Sequence, residues 1–124
     1  MTEKHTSWLF RGAAIYGAIL LLPVYFLEGR VAAPAVRLSA PEYFYGFVGA
    51  ALSFQILYWI VGGAPRKYHA LMLLGVVAKL SFWIPTAILW GMGRTATSTF
   101  ALVCGDLVLA IAFFVAWMSL RSGD

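Results

Sequence analysis

Lys79 and Asp106 are the residues of this chain with the clearest capacity for chemistry, and both sit inside runs of otherwise apolar side chains. Lys79 lies near the middle of ALMLLGVVAKLSFWIPTAILWG, residues 70–91, and Asp106 lies within STFALVCGDLVLAIAFFVAWM, residues 98–118. An ammonium near a bilayer centre costs about 2.5–3.5 kcal/mol on insertion scales. Facing each other, the two charges would neutralise and relieve each other's burial cost. Such a pair can do one of two things. It can fix the register and rotation of two helices, or it can form the polar floor of a site for a proton, an ion or the polar head of a ligand.

Gln55 and Tyr16 are the other polar groups set deep in apolar runs. At about 1.5 Å rise per residue, Lys79 falls roughly 13 Å, Asp106 roughly 18 Å, and Gln55 and Tyr16 each roughly 12 Å from one common end. One residue per run, they define a layer about 6 Å thick. Residues on the same helical faces are the candidate lining of a pocket: Phe44 and Ala51 with Gln55; Phe82, Trp83 and Thr86 with Lys79; Thr99 with Asp106. Pro23 and Pro85 lie beyond the layer, where kinks could splay the helices. A pocket so built would be mostly apolar with a few convergent polar groups, as small-ligand sites usually are.

These residues must be positioned by helices that live in lipid. The chain has 124 residues, 62% hydrophobic and only 11% charged. A soluble domain carries about 25% charged residues, so there is too little polar surface here to face water. Four runs, about 8–27, 43–63, 70–91 and 98–118, are long enough to cross a bilayer, which takes roughly 20 residues. The expected architecture is all-α: one transmembrane domain, a four-helix up-down bundle. Lys4 and Arg11 precede the first run and Val31-Ala32-Ala33 has the small residues of a cleavage site. The run is nevertheless long for a signal core and Pro34 would follow the cut, so a retained span is expected. Ala13 with Gly17 and Ala14 with Ala18 offer small-residue spacing for close helix approach, and Gly46, Gly49, Ala50, Ala51 and Ser53 suggest a similar face on the second span. Pro41 and Glu42 suit the start of that span.

Lys4, Arg11, Arg66, Lys67 and Arg121 fall at one end of the spans, and Arg30, Arg37 and Arg94 at the other. That asymmetry predicts both termini in the cytoplasm. Trp8, Tyr58, Trp59, Tyr68 and Trp117 are placed at the inner interface by the same reading, and Tyr25, Tyr43, Tyr45 and Trp90 at the outer one. The net charge of +4 belongs to these connections and their contact with headgroups, and no nucleic-acid partner is expected. Cys104 stands alone within an apolar run, which leaves no disulfide or zinc spacing. His5 and His69 are too isolated for a metal site. No phosphate loop, Ser/His/Asp set or paired carboxylates occur, and the sequence names no cofactor.

The run Pro41-Glu42-Tyr43-Phe44-Tyr45-Gly46-Phe47, followed by Gln55, Lys79 and Asp106, resembles a set of small four-span bacterial integral membrane proteins. The likeness covers most of the chain and implies the bundle and a bacterial inner membrane without implying an activity. Through Phe54-Gln55 the second span is also similar to the four-helix sterol-isomerase and sigma-two-receptor-like group. That group uses acidic residues and sometimes histidine in its cavity. Here Asp106 is the one acid at membrane depth and no span contains a histidine, so no catalytic residue is carried across. The expected function is non-enzymatic: binding of a lipophilic small molecule, or service as a subunit of a larger membrane assembly or homo-oligomer. An oligomeric transporter, or an ion or proton pathway, through Lys79 and Asp106 is the second expectation, and an enzyme acting on an isoprenoid or lipid the third.

Overall fold

The structure, a computed structural model, describes residues 2–26 and 41–121. Four helices account for nearly all of them: α1 (Glu3–Tyr25), α2 (Pro41–Gly63), α3 (His69–Gly91) and α4 (Thr97–Arg121). Each is long and apolar enough to cross a membrane. Arg30, Arg37, Pro34 and most of the first connection lie outside the described residues, as do the side chains of Phe44 and Arg121.

α1 begins five residues before the apolar run does. Thr2 caps it: its hydroxyl oxygen accepts from the His5 N–H at 3.2 Å and its carbonyl from the Thr6 N–H at 2.9 Å. Glu3 in the first turn suits the positive end of the helix dipole. Hydropathy therefore marked where the helix becomes apolar, while local hydrogen bonding decides where it starts. α2 opens on Pro41 and Glu42 as expected. α3 closes with Gly93 at φ 75°, where Arg94 N–H donates to Leu89 O at 2.9 Å and Gly93 N–H to Trp90 O at 3.0 Å. This is a Schellman stop, and it needs a residue that accepts a left-handed backbone. Helical structure continues through Pro23 and Pro85. One turn from the carbonyl that Pro85 leaves without its usual donor, the Thr86 hydroxyl donates to Phe82 O at 2.7 Å.

The bundle is two tight hairpins, α1 with α2 and α3 with α4, meeting each other through the sparser α1–α4 and α2–α3 contacts. The start of α1, the end of α2, the start of α3 and the end of α4 share one end of the bundle. Glu3 pairs with Arg66 there at 3.4 Å, and His69 Nε2 meets Trp117 O at 2.8 Å with the two rings stacked. The core is concentrated towards the same end, around Phe10, Ala13, Ala14, Tyr58, Val61, Met72 and Phe113. Phe10 stacks on Phe113 at 4.2 Å, and Tyr58 meets Phe10 in an edge arrangement and Phe113 at a tilt.

The small-residue face expected on α1 is in use, with Ala13, Ala14 and Gly17 all buried. The face expected on α2 is used only in part: Gly49, facing the Tyr25 ring, and Ala51 are half-buried, whereas Gly46, Ala50 and Ser53 are exposed, and α2 packs chiefly through Val48, Gln55, Tyr58 and Val61. Gly62 closes that face at the helix end, where the Ser7 hydroxyl donates to its carbonyl. Large side chains such as Ile19, Ile56, Val77, Leu102 and Val108 point outward, giving the bundle an apolar exterior suited to hydrocarbon.

Candidate functional site

The Lys79 ammonium lies 3.1 Å from Asp106 Oδ1, joining α3 to α4 at mid-helix. The lysine side chain is 12% exposed and the aspartate 25%, so the pair is enclosed but its acid remains reachable. On the other side the ammonium sits 5.4 Å above the centroid of Tyr58, which is buried. A cation held between a carboxylate and the face of an aromatic ring has two stabilising partners in a medium with few others.

Tyr58 is thus corrected from an interface aromatic to a core residue beneath the ion pair. A second residue of α3 makes room for it. Gly75, one turn before Lys79 on α3, is buried, and a methyl group there would come 3.2 Å from both the Tyr58 and Phe113 rings. The missing side chain lets the Tyr58 ring sit under the lysine. Sequence reasoning passed over both residues. The available signal was Tyr58 standing three residues after Gln55, on the same helical face, whereas Trp59 turns outward.

Gln55 is buried at the same depth but does not bond the pair. Its Nε2 donates to Ala51 O, one turn back, at 2.9 Å. Its Oε1 lies where a side chain on Gly17 would be, enclosed and without a hydrogen-bond donor. Contact with the Gly17 Cα–H group is the favourable interaction left to it. Tyr16 is about half exposed, and its hydroxyl reaches α4 at Gly105, beside Asp106, 3.5 Å from where a Gly105 side chain would begin. The contacts therefore close a ring around the bundle: Tyr16 and Gly17 on α1, Gly105 and Asp106 on α4, Lys79 on α3, Tyr58 and Gln55 on α2, and back to Gly17. The layer is continuous, while its hydrogen bonding is confined to Lys79 with Asp106 and to Gln55 with its own helix.

The candidate lining residues divide. Trp83 is half-buried and Thr86 buried, one and two turns beyond Lys79 on the same side of α3; the Trp83 Nε1 is enclosed without an acceptor. Ala51 is half-buried with its carbonyl engaged by Gln55. Phe82 is partly exposed and packs on Phe47 at 5.1 Å, bridging α3 and α2. Thr99 faces outward. Phe44 lies outside what is described.

Among the described residues no group of His, Cys, Asp and Glu could hold a metal ion. No protein-family model matches the chain, and no curated protein or solved structure matches it either.

Proposed function

We propose that this chain is an integral protein of a bacterial inner membrane, with both termini in the cytoplasm, whose central layer receives the polar end of a lipophilic molecule. The observation that carries this reading is the enclosed Lys79–Asp106 pair with its acid still a quarter accessible. An ion pair at membrane depth can accept and donate hydrogen bonds at once, to a hydroxyl, a carbonyl or an amide, without taking on net charge. The enclosed and unpartnered Trp83 Nε1, on the same side of α3, supports a site of mixed polarity.

The test is native mass spectrometry of the protein released gently from membranes, comparing wild type with the double variant Lys79→Met, Asp106→Leu. A discrete lipophilic adduct on wild type, absent from a folded double variant, is the expected result. An adduct retained by the double variant, or a wild-type protein released empty, would remove the layer as a binding site.

A further inference from the structure

At the end of the bundle where α1 begins, α1 and α2 border a shallow, open cleft of about 330 Å³ lined by Glu3, Lys4, Ser7, Trp8, Gly62, Gly63 and Pro65. The geometry points to this cleft as a binding site for the phosphate of an anionic phospholipid, independent of the central layer. Four observations lead there.

The first is Arg11, which packs against Gly62 and Gly63 of the lining from one turn beyond Ser7. Its guanidinium stands 4.4 Å above the Trp59 ring, and its side chain lies flat against Gly62 and Gly63, where side chains would collide with it. The group is held in place by packing, and its Nε is enclosed without an acceptor. No carboxylate among the described residues pairs with it. A fixed, unneutralised guanidinium is the residue type best matched to phosphate oxygens.

The second is charge balance. Glu3, the one acid on the rim, is engaged by Arg66 at 3.4 Å, whereas Lys4 has no ion-pair partner among the described residues. The Ser7 hydroxyl proton is already given to Gly62 O. The first turn of α1 and the last turn of α2 meet here with opposite dipoles that offset each other, so Lys4 and Arg11 set the sign of the cleft.

The third is Trp8, which is 71% exposed beside the cleft and projects from the bundle. An exposed indole flanking two cations at a span end is the arrangement that sits among glycerol and headgroups. The fourth is depth. Lys4, Trp8 and Arg11 fall on one face of α1, running from beyond the apolar run into its first turn. A lipid whose chains follow the apolar exterior of α1 and α2 would bring its phosphate to their level, which a free anion has no reason to prefer.

The experiment uses the full chain in neutral detergent, titrated with phosphatidylglycerol, phosphatidylcholine or inorganic phosphate and read by native mass spectrometry. Phosphatidylglycerol is expected to form a one-to-one adduct that phosphatidylcholine does not form and inorganic phosphate does not displace. Lys4→Gln, at an exposed position, is expected to weaken that adduct about fivefold, and Lys67→Gln, at the same end but outside the cleft, to leave it unchanged. Arg11→Lys keeps the charge and loses the fork; it too is expected to weaken the adduct. Equal losses from Lys4→Gln and Lys67→Gln would mean diffuse attraction and overturn the site. Displacement by inorganic phosphate would overturn the lipid assignment. The Lys79→Met, Asp106→Leu variant is expected to retain this adduct, which separates it from any cargo of the central layer.

Discussion

The two hairpins solve the same problem by different chemistry. In the membrane we propose for this chain, no hydrophobic gain drives one helix onto another, so each pair needs close packing or polar contact to hold it. α1 and α2 hold by backbone proximity: Gly17 and Gly62 let Gln55, Ser7 and Arg11 lie directly on the opposite main chain. α3 and α4 hold by side chains: the Lys79–Asp106 pair at mid-helix, Trp90 stacked on Phe100 at 4.3 Å near one end, and His69 on Trp117 at the other. The first device tolerates polar change and resists bulk. The second resists loss of one charge and, Gly75 apart, tolerates bulk. Substitutions of opposite kind should therefore find opposite hairpins weak.

The largest expected effect is in the second hairpin. Lys79→Met alone leaves the Asp106 carboxylate buried without its cation, which typically costs about 3–5 kcal/mol. Adding Asp106→Leu should restore most of that stability, because apolar replacements of a buried pair are often neutral. Unfolding in mixed micelles, read as a double-mutant cycle, measures the difference. A Lys79→Met variant as stable as wild type would remove the pair from what holds the second hairpin, and the comparison between hairpins would then rest on the glycines alone.

Next comes Gly62→Val in the first hairpin. A Cβ at this position would stand 2.5 Å from Arg11 Cγ and 3.0 Å from the Ser7 carbonyl oxygen. The Arg11 chain could swing aside, but the main chain cannot, so α1 and α2 must separate. The loss should be about 1–3 kcal/mol, the usual range for overpacking. The same exchange at Gly46, where nothing lies within 4 Å, should cost almost nothing. If both positions respond alike in the micelle assay, close approach is not what holds this hairpin.

These contrasts also show what could be read in advance. A charge inside an apolar run is rare, and counting residues from the run's end gives its depth, so the Lys79–Asp106 layer was legible before any coordinates. Gly46 and Gly62 are the same residue type on the same helix, yet one is idle and the other is pressed against a backbone. Nothing in α2 alone separates them, since the difference lies in what α1 brings opposite. Tyr58 was obscured for a related reason. An aromatic residue near a span end suits either a headgroup layer or a core, and Gly75, the position that admits it to the core, is on another helix. The start of α1 was missed because Thr2 and Glu3 act through hydrogen bonds and dipole, to which hydropathy is blind.

A smaller effect belongs to the stacked pair at the far end of the second hairpin. Trp90 also donates from Nε1 to the Thr97 hydroxyl at 3.1 Å, across the short connection that Gly93 turns. Trp90→Phe keeps a ring on Phe100 and loses the hydrogen bond; Trp90→Leu loses both. The stack is worth about 0.5–1.5 kcal/mol and the hydrogen bond about 0.5–1.5 kcal/mol, so the two variants should fall in that order. Equal loss in both would assign the contribution to the hydrogen bond.

The smallest expected effect is the most discriminating, because two terms of opposite sign meet in it. Gly17→Ala places a methyl group where the Gln55 amide now lies, so the amide must turn away. What it gives up is limited: Oε1 has no donor now, and the Nε2 bond to Ala51 is local to α2. Against that, alanine is favoured over glycine within a helix by about 0.8–1.0 kcal/mol in water-based scales. If Gln55 serves only to fill space over Gly17, the variant should unfold within about 0.5 kcal/mol of wild type, as substitutions clear of special features do. If instead the displaced amide is driven onto Lys79 or Asp106, the ion pair is disturbed from the opposite hairpin. The Gly17→Ala effect should then vanish in the Lys79→Met, Asp106→Leu background. Additivity between the two changes would mean that the hairpins are separately built, and non-additivity that the polar layer couples them.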